Sequence, residues 1–202
     1  MAEITAALVS ELRARTSVGM MDCKKALTDA EGNMEKAIDL LREKGLAKLQ
    51  KRSGRAASEG VIASYIHTGG KVGVMVEVNC ETDFAANSKD FQEFAKDVAM
   101  QVTAATPLYV KREDIPEDVK AKEKDLYKRQ ALDSGKPEKI IDKIAEGKME
   151  KFYQEVCLME QPFIKNPDIT IKGLLEDLVV KIGENVIIKR FVRFQLGETA
   201  AE

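Results

Sequence analysis

Val72-Gly73-Val74-Met75-Val76-Glu77-Val78-Asn79-Cys80 sets a valine at every second position from Val72 to Val78. Such alternation puts β-branched side chains on one face of a half-buried strand. Just upstream, Val61, Ala63 and Tyr65 alternate in the same way, and Thr68-Gly69-Gly70 supplies a turn between the two runs. The pair reads as a β-hairpin.

Beyond Cys80 the period changes. Asn87 or Ser88 can cap a helix whose apolar stripe is Phe91, Phe94/Ala95, Val98 and Val102, with Pro107 just past its end. A charged stretch, about 116–133, reads as helical and stops near Gly135, and Pro137 suits the first turn of the next helix. Met149, Phe152, Val156 and Met159 form a further stripe. Pro162 and Pro167 mark a loop. Ile171, Leu174, Leu175, Leu178 and Ile182 then define a last helix, ended by Gly183. From Asn185 to Leu196 a closing strand is expected, with Val186, Ile188, Val192, Phe194 and Leu196 at even spacing.

Upstream of the hairpin the spacing is helical throughout. Ile4, Leu8 and Leu12 make one stripe, Cys23, Ala26, Leu27 and Ala30 a second, and Met34, Ala37, Ile38 and Leu41 a third. Asp22 and Asn33 are candidate caps, and Gly45 a candidate stop for the third helix. The three helices fill about residues 1–45. Lys48, Lys51, Arg52 and Arg55, set among Ser53, Gly54, Ser58 and Gly60, then read as a basic linker. The expected fold is α+β. Residues 1–55 form a three-helix module and linker, and residues 56–202 a small antiparallel sheet covered by helices.

Composition narrows the function. The chain of 202 residues carries a net charge of −2, with 44% apolar and 33% charged residues. No overall field draws it to nucleic acid or membrane. No apolar run approaches the roughly 20 residues of a membrane helix, and the N-terminus lacks a signal or transit pattern, so a cytoplasmic location is expected. Cys23, Cys80 and Cys157 are odd in number and widely spaced, which fits neither a disulfide framework nor a zinc site. His67 is the single histidine, so a paired-His metal site is excluded. Neither phosphate-binding glycine motif is present, and Gly69-Gly70 reads as the hairpin turn.

Two places break the local rules. Thr16-Ser17-Val18-Gly19-Met20-Met21 puts consecutive methionines in a short loop; either one plugs the three-helix core or both await a partner helix. Thr82-Asp83-Phe84 sets a ring beside a carboxylate where the valine strand gives way to helix. Phe is a residue usually buried, which favours a core anchor, whereas an exposed ring there would suit insertion into another protein. The basic stretch Lys48–Arg55 could touch RNA, but it has no interleaved aromatic for base stacking and reads as a solubilising linker.

Gly19-Met20-Met21-Asp22-Cys23-Lys24-Lys25-Ala26-Leu27 and Glu77-Val78-Asn79-Cys80-Glu81-Thr82-Asp83-Phe84 resemble the two signatures of the translation elongation factor Ts family. Further matches are Ser134-Gly135-Lys136-Pro137, Gly147-Lys148-Met149 with Lys151-Phe152, Gln161-Pro162-Phe163, and Phe191-Val192-Arg193-Phe194 before Gly197-Glu198. The resemblance implies an exchange factor that binds elongation factor Tu carrying GDP and speeds GDP release. It implies no catalytic residue, metal or cofactor of its own, and no direct contact with nucleic acid or membrane. The N-terminal module would have the ubiquitin-associated (UBA-like) three-helix fold and grip a helix of the partner through Arg13, Met20 and Met21. The segment Thr82, Asp83, Phe84, Ala85 matches the loop that enters the GTPase domain near its magnesium. Phe84 would pass between two helices there, and Asp83 would engage neighbouring polar groups.

Two departures stand out. Ala85 replaces a valine common in the family. The chain also has one sheet-bearing half where longer relatives have two, with Lys181-Ile182-Gly183-Glu184-Asn185 near its C-terminus rather than between halves. Short relatives appear as homodimers, and the strand Asn185–Leu196 is the expected surface for a second copy. The rival readings are an RNA-binding module using Lys48–Arg55 and an enzyme using Cys80 or Cys157.

Overall fold

The computed structural model of the chain describes residues 4–16, 18–52, 54–135 and 137–198. Helix α1 (Ala6–Thr16) is capped by Thr5, whose hydroxyl accepts the Leu8 N–H at 3.3 Å. Helices α2 (Met20–Asp29) and α3 (Met34–Arg52) follow. Asn33 caps α3 as expected, accepting the Lys36 N–H at 3.0 Å. Asp22 does not cap α2; it lies in the first turn, and Gly19 is the capping position. The three stripes meet in one core of Val9, Leu12, Val18, Cys23, Ala26, Leu27, Ala30, Ala37 and Leu41.

Gly45 does not end α3. The helix continues to Arg52, and Gly45 is buried within it. Its role is steric, since a Cβ at this position would come within 2.2 Å of Val180 Cγ2. The glycine was chosen for close approach, and the helical beginning of the basic stretch is longer than its composition suggests. The side chains of Lys48, Lys51 and Arg52 lie outside the described residues, as do Ser17, Ser53 and Lys136 entirely.

Strands β1 (Glu59–Ile66) and β2 (Val72–Cys80) make the expected hairpin, closed by the His67 N–H donating to Val72 O at 2.9 Å. Strand β5 (Val186–Gln195) completes a sheet of order β1-β2-β5. It runs antiparallel to β2, with the Leu196 N–H on Lys71 O at 2.8 Å and Arg190 Nε on Glu77 Oε2 at 2.7 Å. The even-numbered residues of β5 do not share one environment. Val186 and Ile188 are buried, whereas Val192, Phe194 and Leu196 are exposed. The alternation slips at Lys189 and Arg190, two exposed residues in succession.

The one-turn helix α4 (Asp83–Ala86) leads into α5 (Lys89–Ala105), where the Ser88 hydroxyl accepts the Phe91 N–H at 3.3 Å. Helices α6 (Glu117–Asp133) and α7 (Glu138–Val156) pack against each other as a helical hairpin turned at Gly135, φ 69°. Pro162 and Pro167 do not mark a plain loop. They lie in β3 (Pro162–Phe163) and β4 (Asn166–Thr170), a two-stranded antiparallel ribbon interrupted by a register shift. Phe163 is buried, and proline is tolerated at a strand's start and edge, which permits pairing where the two prolines suggest a loop. Buried Gln101 holds the ribbon: it donates to Gln161 Oε1 and Pro162 O, both at 3.2 Å, and accepts the Ile164 N–H at 2.9 Å. Helix α8 (Ile171–Ile182) ends at Gly183, φ 79°, as expected.

The chain divides into two compact units. One takes Met1–Val61, Val78–Phe94 and Leu175–Ile187, and so contains the N-terminal helices, α4 and the segment after α8. The other takes Ile62–Glu77, Ala95–Leu174 and Ile188–Glu202, including the α6–α7 hairpin and the ribbon.

Candidate functional site

The site begins at the last residue of β2. Cys80 is buried, and its thiol donates to Thr82 O at 3.1 Å, turning the chain out of the strand. Thr82 is the N-cap of α4, its hydroxyl oxygen accepting the Ala85 N–H at 3.2 Å. Four residues cannot sustain a helix unaided, so the turn depends on its surroundings. Asn87 Nδ2 donates to Asp83 O at 2.9 Å, Ser88 Oγ to Ala85 O at 2.7 Å, and Gln92 Nε2 to Ala86 O at 2.7 Å. Three of the turn's four carbonyls, those of Asp83, Ala85 and Ala86, thus accept from a side-chain donor.

The turn divides sharply by face. Ala85 and Ala86 are sealed, at 2% and 4% exposure, and act as its anchors. Phe84 points the other way and is 85% exposed, so it is no core anchor. Asp83 beside it is exposed as well. A fully solvated ring on a turn tied down at this many points runs against the burial habit of its residue type.

A second segment braces this turn from behind. Glu184, just after α8, accepts the Thr82 N–H on Oε2 at 3.0 Å and the Thr82 hydroxyl on Oε1 at 2.7 Å. Glu81 accepts the Asn185 N–H at 2.7 Å and Arg55 Nη1 at 3.2 Å. Buried Asn185 also donates to Arg55 O at 3.0 Å. Lys181 pairs with Asp90 at 2.5 Å. The sequence places Glu184 and Asn185 in a motif without disclosing this role; the partners are 102 and 104 residues apart along the chain.

The other expected contact residues lie on the N-terminal helices. Met20 and Met21 are 53% and 77% exposed at the start of α2, and Arg13 is exposed on α1. Neither methionine plugs the core, which Val18, Cys23 and Leu27 fill instead. Arg55 is the cation of the basic stretch whose side chain is described, and it is engaged with Glu81.

Burial raises the Cys80 thiol above its ordinary value, Glu184 adding to the effect, and pushes Cys157 up to about 11. These are the properties of packing thiols rather than nucleophiles. Among the described residues no cluster of His, Cys, Asp and Glu could hold a metal ion, and no helix is long and apolar enough to cross a membrane.

The family model for elongation factor Ts matches residues 2–198. An elongation factor Ts of Carboxydothermus hydrogenoformans is 58% identical over 199 residues, covering 98% of this chain and 92% of the relative. One of Syntrophus aciditrophicus is 60% identical over 195 residues, covering 96% and 97%. One of Thermoanaerobacter sp. is 56% identical over 195 residues, covering 96% of each. These relatives are of nearly this length, so the short form is theirs too. With a family model running almost end to end over the exposed Phe84 turn and the exposed methionines, the chain belongs to the elongation factor Ts family, nucleotide exchange factors of elongation factor Tu that perform no covalent chemistry.

Proposed function

We propose that the chain releases GDP from elongation factor Tu by inserting Phe84 between two helices of the GTPase domain, disturbing the magnesium site. The observation that carries this reading is the exposure of Phe84 on a turn whose backbone is pinned. Magnesium bridges a GTPase and its phosphates, so displacing it removes much of the nucleotide's hold. Asp83 engages polar or backbone groups beside the ring, and Thr82 and Ala85 fix the turn. Coupling between sites is reciprocal: a factor that weakens GDP binding is itself bound more weakly when GDP is present. The factor therefore needs neither cofactor nor metal of its own.

Arg13, Met20 and Met21 grip a helix of the same GTPase domain, residues 1–55 acting as a UBA-like module with its linker. Exposed, adaptable methionines suit a helix-binding face. Residues 56–202 act as the core and dimerisation part. Supporting this is the open face of the sheet, which carries Ile62, Ile66, Met75, Val192 and Phe194, all exposed. They share one face: Arg190 meets Glu77 across β2 and β5, and a Cβ on Gly73 would touch Ile66 Cδ1. A second copy of the chain is the occupant proposed for this patch. The protein works in the cytoplasm, touching neither membrane nor nucleic acid.

The direct test is stopped-flow release of a fluorescent GDP from elongation factor Tu, with and without this chain. Faster release is expected. A rate unchanged at saturating concentrations would overturn the reading.

A further inference from the structure

We infer that Glu184 is a positioning residue for exchange, which fixes the pitch of the turn carrying Phe84. The inference rests on the reading that Phe84 acts on the partner, and goes beyond it by naming what holds the ring against the load.

The geometry is a reciprocal clasp. Glu81, before the turn, takes the backbone N–H of Asn185 at 2.7 Å. Glu184, the residue before Asn185, takes the backbone N–H of Thr82, the residue after Glu81, at 3.0 Å. Each segment's carboxylate therefore closes on the other segment's main chain. Hydrogen bonds to ionised groups are shorter and stronger than neutral ones, and here they act on backbone rather than on mobile side-chain ends.

Glu184 also sets the direction of a proton. The Thr82 hydroxyl has one hydrogen, and at 2.7 Å the Glu184 carboxylate claims it. The hydroxyl oxygen is then left as an acceptor aimed at the Ala85 N–H, 3.2 Å away. Without the carboxylate the hydroxyl can rotate, and the cap of a four-residue helix weakens. Glu184 itself is held by the end of α8, where Gly183 stops the helix and its N–H bonds Val179 O at 2.8 Å. Phe84 makes its push from a turn referenced to α8, not to a free loop. A ring meant to separate two helices works only if its own support does not yield first, and rigid presentation lowers the cost of the productive geometry.

The test compares Glu184→Ala, Glu184→Gln, Thr82→Val, Thr82→Ser, Phe84→Ala and the double variant Glu184→Ala/Phe84→Ala in the intact chain. GDP release from elongation factor Tu is read across factor concentration. Glu184→Ala is expected to lower the maximal rate about tenfold, the loss of a charged hydrogen-bond pair, while the half-saturating concentration moves less than about twofold. Glu184→Gln keeps one acceptor and should fall between; Thr82→Val should resemble Glu184→Ala, and Thr82→Ser, which keeps the hydroxyl, should lose less than Thr82→Val. The double variant should be no slower than Phe84→Ala within about twofold, because Glu184 acts through the ring. Amide exchange at Ala85–Asn87 should quicken in Glu184→Ala. If Phe84→Ala is impaired but Glu184→Ala, Glu184→Gln and Thr82→Val are not, this inference fails and the wedge stands. If the double variant shows the product of both losses, Glu184 acts elsewhere and the inference also fails. If Phe84→Ala is unimpaired, both ideas fall. Should Glu184→Ala not fold, Glu184→Gln and Thr82→Val decide the matter by the same criteria.

Discussion

Gly45 in α3 lies so close to Val180 in α8 that a Cβ would fall 2.2 Å from one Val180 methyl and 3.2 Å from the other. Val180 also packs on the three-helix core. A valine cannot swing its methyls aside as a long side chain can. Replacing Gly45 by Ala raises helix propensity by about 1 kcal/mol but overpacks the contact by about 1–3 kcal/mol. The net cost is at most about 2 kcal/mol, so Gly45→Ala is expected to lower Tm by up to about 8 °C. A thermal melt checks it, and a rise in Tm would show that α3 and α8 are not in contact.

Met20→Ala and Met21→Ala remove exposed side chains, so each should change stability by less than about 0.5 kcal/mol. Affinity for nucleotide-free elongation factor Tu should nonetheless drop about tenfold in the double substitution, as expected for interface anchors. Calorimetric titration reads the affinity. Unchanged binding would remove the methionines from the interface.

The features legible in the sequence are those fixed by neighbours. The valine alternation, the three helical stripes, the Asn33 cap and the Gly183 stop each depend on a few consecutive residues. Gly45 misled because a glycine late in a helix has the same letter whether it ends the helix or admits a neighbour. The β3–β4 ribbon was hidden because its pairing is stabilised by Gln101, some 60 residues upstream. Glu184 gave no local sign, since its partner is 102 residues away. Phe84 was legible only through resemblance. The residue type argues for burial, and the outcome turns on Ala85 and Ala86 taking the inward side of the turn.

The cysteines should be inert. Cys23, Cys80 and Cys157 are all buried, and at pH 8 the Cys157 thiol, pushed up to about 11, is ionised roughly one part in a thousand. The native chain should take up iodoacetamide far more slowly than the denatured chain, whose three thiols should all label. Rapid labelling of one native thiol would revive the enzyme reading. The pH dependence follows from the same burial: the stability gained by keeping Cys157 neutral is intact below its ordinary value of 9.0 and is lost as pH rises toward about 11.

Phe194 is 68% exposed on the open sheet face. If a second copy covers that face, Phe194→Asp should convert a micromolar dimer into a monomer while leaving Tm of the monomer nearly unchanged. Analytical ultracentrifugation distinguishes the species. A wild-type chain that sediments only as monomer would discard the dimer.

The claim that an exposed ring does the levering is tested most directly by Phe84→Ala in a stopped-flow GDP-release assay, run beside a thermal melt. Because the ring is solvated, the melt should shift by no more than the equivalent of about 0.5 kcal/mol, while the maximal release rate should fall at least about tenfold. A variant that exchanges GDP at the wild-type rate, or one that unfolds while its folded fraction keeps full specific activity, would contradict the account.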